Sequence, residues 1–233
     1  MKRRLFLATM LSAGTGHAAS ASEFPYGRSH IFAVYRKGDL IGHHSLRFRP
    51  EDGKQHASTS LDLAVKALGV TLYRYNYRCY ETWDGPSFLH LESETNDNGT
   101  KYSVKARRSP EAVIVDRLDP LPAVASPAGQ DGLQRTPTVR DTLPSAILPT
   151  THWNREQVEQ SALLNTQYGT LSKIKVVNAG REPVKTVTGT LPSTRYDYTG
   201  ELRFSQWFDD RNRWVKAAFA APDGSMIDYI LQE

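Results

Sequence analysis

With a single cysteine in 233 residues, Cys79, the chain cannot close a disulfide on itself, so its stability has to come from burial. Long apolar runs are missing too. A spanning helix needs roughly 20 apolar residues, and the one candidate stretch, Leu5 to Leu11, is far shorter. There is no Gly-x-Ser-x-Gly elbow for a serine nucleophile. No glycine-rich phosphate loop or dinucleotide fingerprint is present either, so no cofactor is expected. Lys101, Lys105, Arg107 and Arg108 form the densest basic cluster, but they alternate with Tyr102, Val104 and Ala106 as the wet face of a half-buried strand does. A nucleic-acid reader would carry a basic patch or a recognisable motif, and neither is there.

What is present begins with an address. Met1-Lys2-Arg3-Arg4 is a positive start, Leu5 to Leu11 a short apolar segment, and small residues follow. That order is the order of a removable signal peptide over residues 1–21, which predicts a periplasmic or secreted protein. Gly16-His17-Ala18 and Ala19-Ser20-Ala21 are competing cleavage sites, with Ala21 preferred. Arg3-Arg4-Leu5-Phe6-Leu7 resembles the twin-arginine export motif, which a receptor reads. The leader carries three basic residues and no acid, so the formal charge of +4 falls to +1 once it is removed. The 212 residues from 22 to 233 suffice for one sizeable core.

Apolar residues in that part recur with period two almost throughout, the signature of half-buried strands. Ile31 to Tyr35 and Ile41 to Phe48 read as a hairpin, followed by strands at Gln55 to Val65, Val70 to Trp83, Ser87 to Thr95 and Thr100 to Arg107. Asn96-Asp97-Asn98-Gly99 separates the last two, and Asn-Gly marks a tight turn because both residues tolerate positive φ. A calcium loop would need a distal bidentate acid that this turn lacks. From 117 to 151 prolines accumulate, which reads as a long surface crossing. One short helix is expected over 154–163, with Asn154 as N-cap and Gln157 completing a capping box. Six further strands, from Thr170 to Leu231, follow it. A mainly β, antiparallel up-and-down meander of this size has to curl into a half-barrel or partly closed barrel, with the helix on its concave side.

Several stretches together carry a resemblance. They are Val34-Tyr35-Arg36-Lys37-Gly38 with Ile41-Gly42-His43, Tyr73-Arg74-Tyr75 through Glu81-Thr82-Trp83, and Thr95 to Thr100. Leu148-Pro149 with Trp153-Asn154, Thr166-Gln167-Tyr168-Gly169, and Trp207-Phe208-Asp209 with Arg213-Trp214-Val215 complete the set. In this order they resemble an uncharacterised family of exported proteobacterial proteins, the domain of unknown function 6134. That family is similar in layout to other exported half-barrel domains, some of which hold lipid or acyl ligands. The resemblance implies a fold and no catalytic residues.

Candidate site residues cluster on one strand. Alternation puts Tyr73, Tyr75, Tyr77, Cys79, Glu81 and Trp83 on one face, with Leu72, Arg74, Asn76, Arg78 and Tyr80 on the other. A row of tyrosines ending in a carboxylate and an indole suits the wall of a pocket for an apolar ligand with a polar end. An aromatic core stripe would look the same. Cys79 within that row reads as a small buried hydrophobe. Arg78, Glu81 and His152 are the expected polar mouth, with Trp153 a further ligand-binding candidate. His30 and His44 fall on the inward side of the first hairpin, but zinc wants a third protein ligand, so no metal is expected. The function expected is a binding or carrier module for a lipid-like ligand. The alternatives are an enzyme using Glu81, His44 or Asp97, and a solid-cored partner protein of the envelope.

Overall fold

The computed structural model describes residues 24–118 and 138–232; the expected signal peptide over 1–21 and Pro120, Pro122, Pro127 and Pro137 lie outside them. The first half is a meander of eight strands: β1 (Ser29–Arg36), β2 (Asp39–Glu51), β3 (Lys54–Ala67), β4 (Val70–Asp84), β5 (Ser87–Asp97), β6 (Thr100–Arg108), β7 (Ala112–Leu118) and β8 (Thr138–Pro144). The second contains β9 (Leu148–Pro149), a 3-10 turn (Arg155–Glu159), β10 (Ala162–Leu164), β11 (Leu171–Thr186), β12 (Gly189–Gly200), β13 (Phe204–Asp209), β14 (Trp214–Ala220) and β15 (Met226–Leu231). All fifteen strands form one sheet, in the order β8 to β1 and then β15 to β9. The two meanders therefore join through their outermost strands in sequence, β1 beside β15, with Phe32 opposite Leu231 and Tyr35 opposite Asp228.

This order forces the sheet to curl. Fifteen strands laid flat at about 4.8 Å would separate the edges by about 65 Å. Yet the edges β8 and β9 are consecutive in sequence, and Pro144 to Leu148 can span about 14 Å at most. The edges are bridged by chain rather than by a ladder, and the result is a partly closed barrel. Arg108 on β6 ties the bridge down. Its guanidinium donates to the carbonyls of Phe88 at 2.6 Å, Ile147 at 2.8 Å and Ser145, while stacking over the Phe88 ring at 5.0 Å. Hydrogen bonds to a charged donor contribute about 1.5–3 kcal/mol each at most, with overlap among them. Replacing Arg108 by methionine is expected to cost about 2 kcal/mol in urea unfolding; a loss under about 0.5 kcal/mol would show that the bridge holds without it.

Strand alternation decides what faces inward. On β1 and β2, Phe32, Val34, Leu46 and Phe48 are buried beside His30 and His44, while His43 is exposed and His56 on β3 only half-buried. Gly42 lies where β2 passes close to its neighbour: a Cβ there would sit 1.9 Å from the Asp62 carbonyl oxygen, so no other residue fits. The basic residues of β6 do face water, Arg108 excepted, and Asn96-Asp97-Asn98-Gly99 is a tight turn with Asn98 at φ 49° and the Asn96 side chain accepting from the Gly99 amide.

The expected helix over 154–163 is shorter and tighter than the sequence pattern suggests. Asn154 caps it by accepting from the Glu156 amide, but the 3-10 turn ends at Glu159 and Ala162–Leu164 is a strand on β11. Gln157 does not turn back to the cap; buried at 1% exposure, it donates to Gln206 on β13. Part of the expected surface crossing is likewise strand. Leu143 is buried on β8, and Leu148–Pro149 pairs in parallel with β10. Residues 148–170 thus run back through the barrel as a plug.

Candidate functional site: an aromatic cavity ending at two histidines

β4 supplies the longest wall. Its burial deepens along the strand, from exposed Val70, Thr71 and Leu72, through half-buried Tyr73, Tyr75 and Tyr77, to buried Cys79, Glu81 and Trp83. Over ten residue steps at about 3.3 Å the strand descends about 33 Å, and bulges against β3 at Val65/Lys66 and against β5 at Thr82/Trp83 bend it around the plug. The plug is fixed by specific bonds. Tyr77 donates its hydroxyl to Thr166 Oγ1 at 2.8 Å, Ser93 donates to the Thr166 carbonyl at 2.5 Å, and Tyr26 donates to the Trp153 carbonyl at 2.7 Å. Gly169, at φ +71°, presses against β6 and β7: a Cβ there would meet Arg117 carbons at 2.9 Å and Val104 at 3.3 Å.

Between β4 and the plug a cavity of about 810 Å³ remains. That is the upper part of the usual range for ligand sites. Its sides are Leu61, Leu63 and Tyr75 from β3 and β4, and Ala217, Ile227 and Tyr229 from β14 and β15. Its rim holds Tyr73, whose hydroxyl donates to Asp97 at 2.7 Å, and the ion pair of Arg36 with Asp223 at 2.6 Å. The β3–β4 turn next to the rim carries exposed Leu68, Val70 and Leu72.

At the inner end stand Glu81, His44, His152 and Thr151. Glu81 is 3% exposed and its carboxyl accepts from the indoles of Trp83 at 2.8 Å and Trp153 at 3.2 Å, with the Cys79 thiol 3.7 Å away. Burial outweighs these donors and pushes its pKa up to about 7. Burial also drives the Cys79 thiol well up, so Cys79 is an inert packing residue here. The imidazoles move the other way: burial lowers His30, lowers His44 strongly and brings His152 down to about 4, so all are neutral at pH 7.

His152 occupies a backbone conformation that non-glycine residues seldom take, φ +60°. Its carbonyl is held by the Gln206 amide at 2.6 Å, and its ring stacks on Trp214 at 5.2 Å with His44 beside it at 6.4 Å. The surrounding structure therefore sets its direction. His44 itself lies among Trp214, Tyr229 and Phe32.

The sequence-based expectations sort accordingly. Tyr73, Tyr75, Tyr77, Glu81 and His152 line the cavity. Trp83 and Trp153 lie behind it, 5.0 Å apart, as the anchors of Glu81. Arg78 does not belong to the mouth: it faces outward, as alternation requires, and pairs with Asp62 at 2.9 Å. Glu81 and His152 are at the inner end rather than the rim, because buried Trp83 and Trp153 hold the Glu81 carboxyl and buried Gln206 holds the His152 carbonyl in the interior. Asp97 sits at the rim opposite Tyr75, six residue positions along β4 from Glu81, so Glu81, His44 and Asp97 do not form one constellation. Beside the buried core the described residues leave this cavity unfilled. Among the described residues, no group of three or more His, Cys, Asp or Glu side chains is placed to hold a metal. The opposite wall, Ile227 and Tyr229 with Ala217, was readable in part, since β15 alternates as cleanly as β4. Thr151 and the convergence of His44 with His152 left no local signal.

A family model described as a domain of unknown function (DUF6134) matches residues 32–232. No curated protein matches the chain in sequence. Among solved structures, a β-barrel-like protein of domain of unknown function DUF1849 from Brucella abortus is similar in fold, with a TM-score of 0.58 at 10% identity, over 88% of this chain and 95% of that one.

Proposed function

Because the chain belongs to the DUF6134 family, a domain of unknown function, its role is read from its own cavity, and we propose that it is an exported binding or carrier protein for a hydrophobic or amphipathic, lipid-like molecule. The observation that carries this reading is the cavity itself: about 810 Å³, walled by tyrosines and aliphatic side chains on β3, β4, β14 and β15 and open at one rim. An interior of that size left unfilled forfeits the close packing from which a disulfide-free domain draws its stability. A ligand with a long apolar body restores those contacts. The leader-like start of the chain supports delivery to the periplasm or beyond, where such molecules need shelter from water.

Obstruction tests the reading. Ala217 is 4% exposed and faces the cavity from β14, so tryptophan at this position projects into the empty volume. Ala217→Trp is expected to lower uptake of a fluorescent fatty-acyl probe at least tenfold while the melting temperature stays within a few degrees of the parent. Native mass spectrometry of the unaltered protein should show a bound molecule of lipid mass. Unchanged uptake in the variant, with nothing bound in the parent, would overturn the assignment.

A further inference from the structure

The walls of the cavity are apolar but its inner end is not, and the polar atoms there lack partners. Both ring nitrogens of His44, Nδ1 of His152 and the hydroxyl of Thr151 are buried with no hydrogen-bond partner among the described residues. His44 is 3% and Thr151 5% exposed. Orphaned buried polar groups are costly, and several at one spot are uncommon in a folded protein. His152 adds a second sign of a built site, because its ring is aimed here by a backbone conformation that only the packing around it sustains.

We propose that this inner end recognises the uncharged, oxygen-bearing head of a single-chain amphiphile, of the class of a long-chain alcohol, with His44, His152 and Thr151 as its hydrogen-bond partners. The inference rests on the carrier reading and names the class of ligand. A neutral imidazole offers one donor and one acceptor, and a hydroxyl needs one of each. No cation lies at the inner end: Arg36 and Arg203 belong to the other lining residues, and Arg36 is committed to Asp223. A phosphate or carboxylate head would give up its hydration there without gaining a counter-charge. At about 30 Å³ per non-hydrogen atom, the cavity of about 810 Å³ has room for on the order of 25 such atoms, which matches one chain and its head.

The experiment is displacement of the apolar fluorophore N-phenyl-1-naphthylamine at pH 8 by dodecanol, 1-chlorododecane, dodecanoate and dodecyl phosphate, for the parent and for His44→Leu. Dodecanol is expected to compete at least tenfold better than chlorododecane, dodecanoate or dodecyl phosphate. In His44→Leu the dodecanol advantage should fall about tenfold, chlorododecane should be unaffected, and the melting temperature should hold or rise, since the variant removes unpartnered polar atoms. Equal competition by dodecanol and chlorododecane, or equal losses for both in His44→Leu, would overturn the head-group site and leave the carrier reading standing. Tighter competition by dodecyl phosphate would also overturn it, by showing an anionic head at the arginines. Failure of the fluorophore and of every competitor to bind would remove the carrier reading and this one together.

Discussion

Replacing Trp214 by alanine is expected to lower stability by about 4 kcal/mol, the middle of the range for removing a buried tryptophan, and with it the melting temperature by about 10 °C for a domain of this size. Trp214 is fully buried on β14, where its ring meets Phe32 at 4.0 Å, stacks on His152 and abuts His44. Its backbone amide donates to the Tyr26 hydroxyl, which in turn donates to the plug at the Trp153 carbonyl. One side chain thus joins the β1–β15 seam, the inner end of the cavity and the plug. Trp214→Phe keeps most of the ring contact and loses only the indole donor to the Lys216 carbonyl, so it should recover more than half of the loss. Urea unfolding of both variants measures this. A cost below about 1 kcal/mol for alanine would mean that the plug and the barrel are held independently of Trp214.

The second large effect depends on pH. With its pKa raised from 4.5 to about 7, Glu81 binds its proton more tightly in the folded chain than in the unfolded one. Its contribution is therefore complete below pH 4.5 and is lost as pH rises through 7, a loss of about 3 kcal/mol at roughly 1.4 kcal/mol per unit. His30, His44 and His152 have the opposite sign. Their folded pKa values are depressed, so their contribution is complete above about 6.5 and is lost as pH falls, for His152 toward about 4. Between pH 4.5 and 6.5 three imidazoles oppose one carboxyl, so stability should rise with pH across that interval, less steeply than the histidines alone would make it. Glutamine at position 81 keeps an oxygen for the two indoles and cannot ionise. Relative to the parent, Glu81→Gln should gain about 3 kcal/mol between pH 5 and pH 8, with no further change in the difference below pH 4.5. Chemical denaturation across that range decides it; a constant difference between the two proteins would show that Glu81 is already ionised at pH 5.

The strands were legible because each is long enough for alternation to repeat. On β4 the period-two pattern assigns Tyr73 through Trp83 to the inner face, and the same pattern places Arg78 outside, where it is found. The segment from Leu148 to Leu164 was not legible. Its strands are two and three residues long, too short for any period to register, and Leu163 and Leu164 meet both a helical and a strand template. Which end of the β4 row is deep depends on where that segment lies, and so Glu81 was expected at a mouth and found at a floor. His44 and His152 are brought together by a backbone conformation at His152 that nothing in its residue type requires.

The pairing of β1 with β15 has a consequence for how the chain comes into being. A ribosome delivers β1 first and β15 last, so the centre of the sheet, where Phe32 lies opposite Leu231, is the last part to be completed. Until the closing strand arrives, β1 presents an open edge to any other extended chain, the usual origin of edge-to-edge aggregation. That edge stays uncovered until the last six-residue strand, Met226–Leu231, has been made and paired.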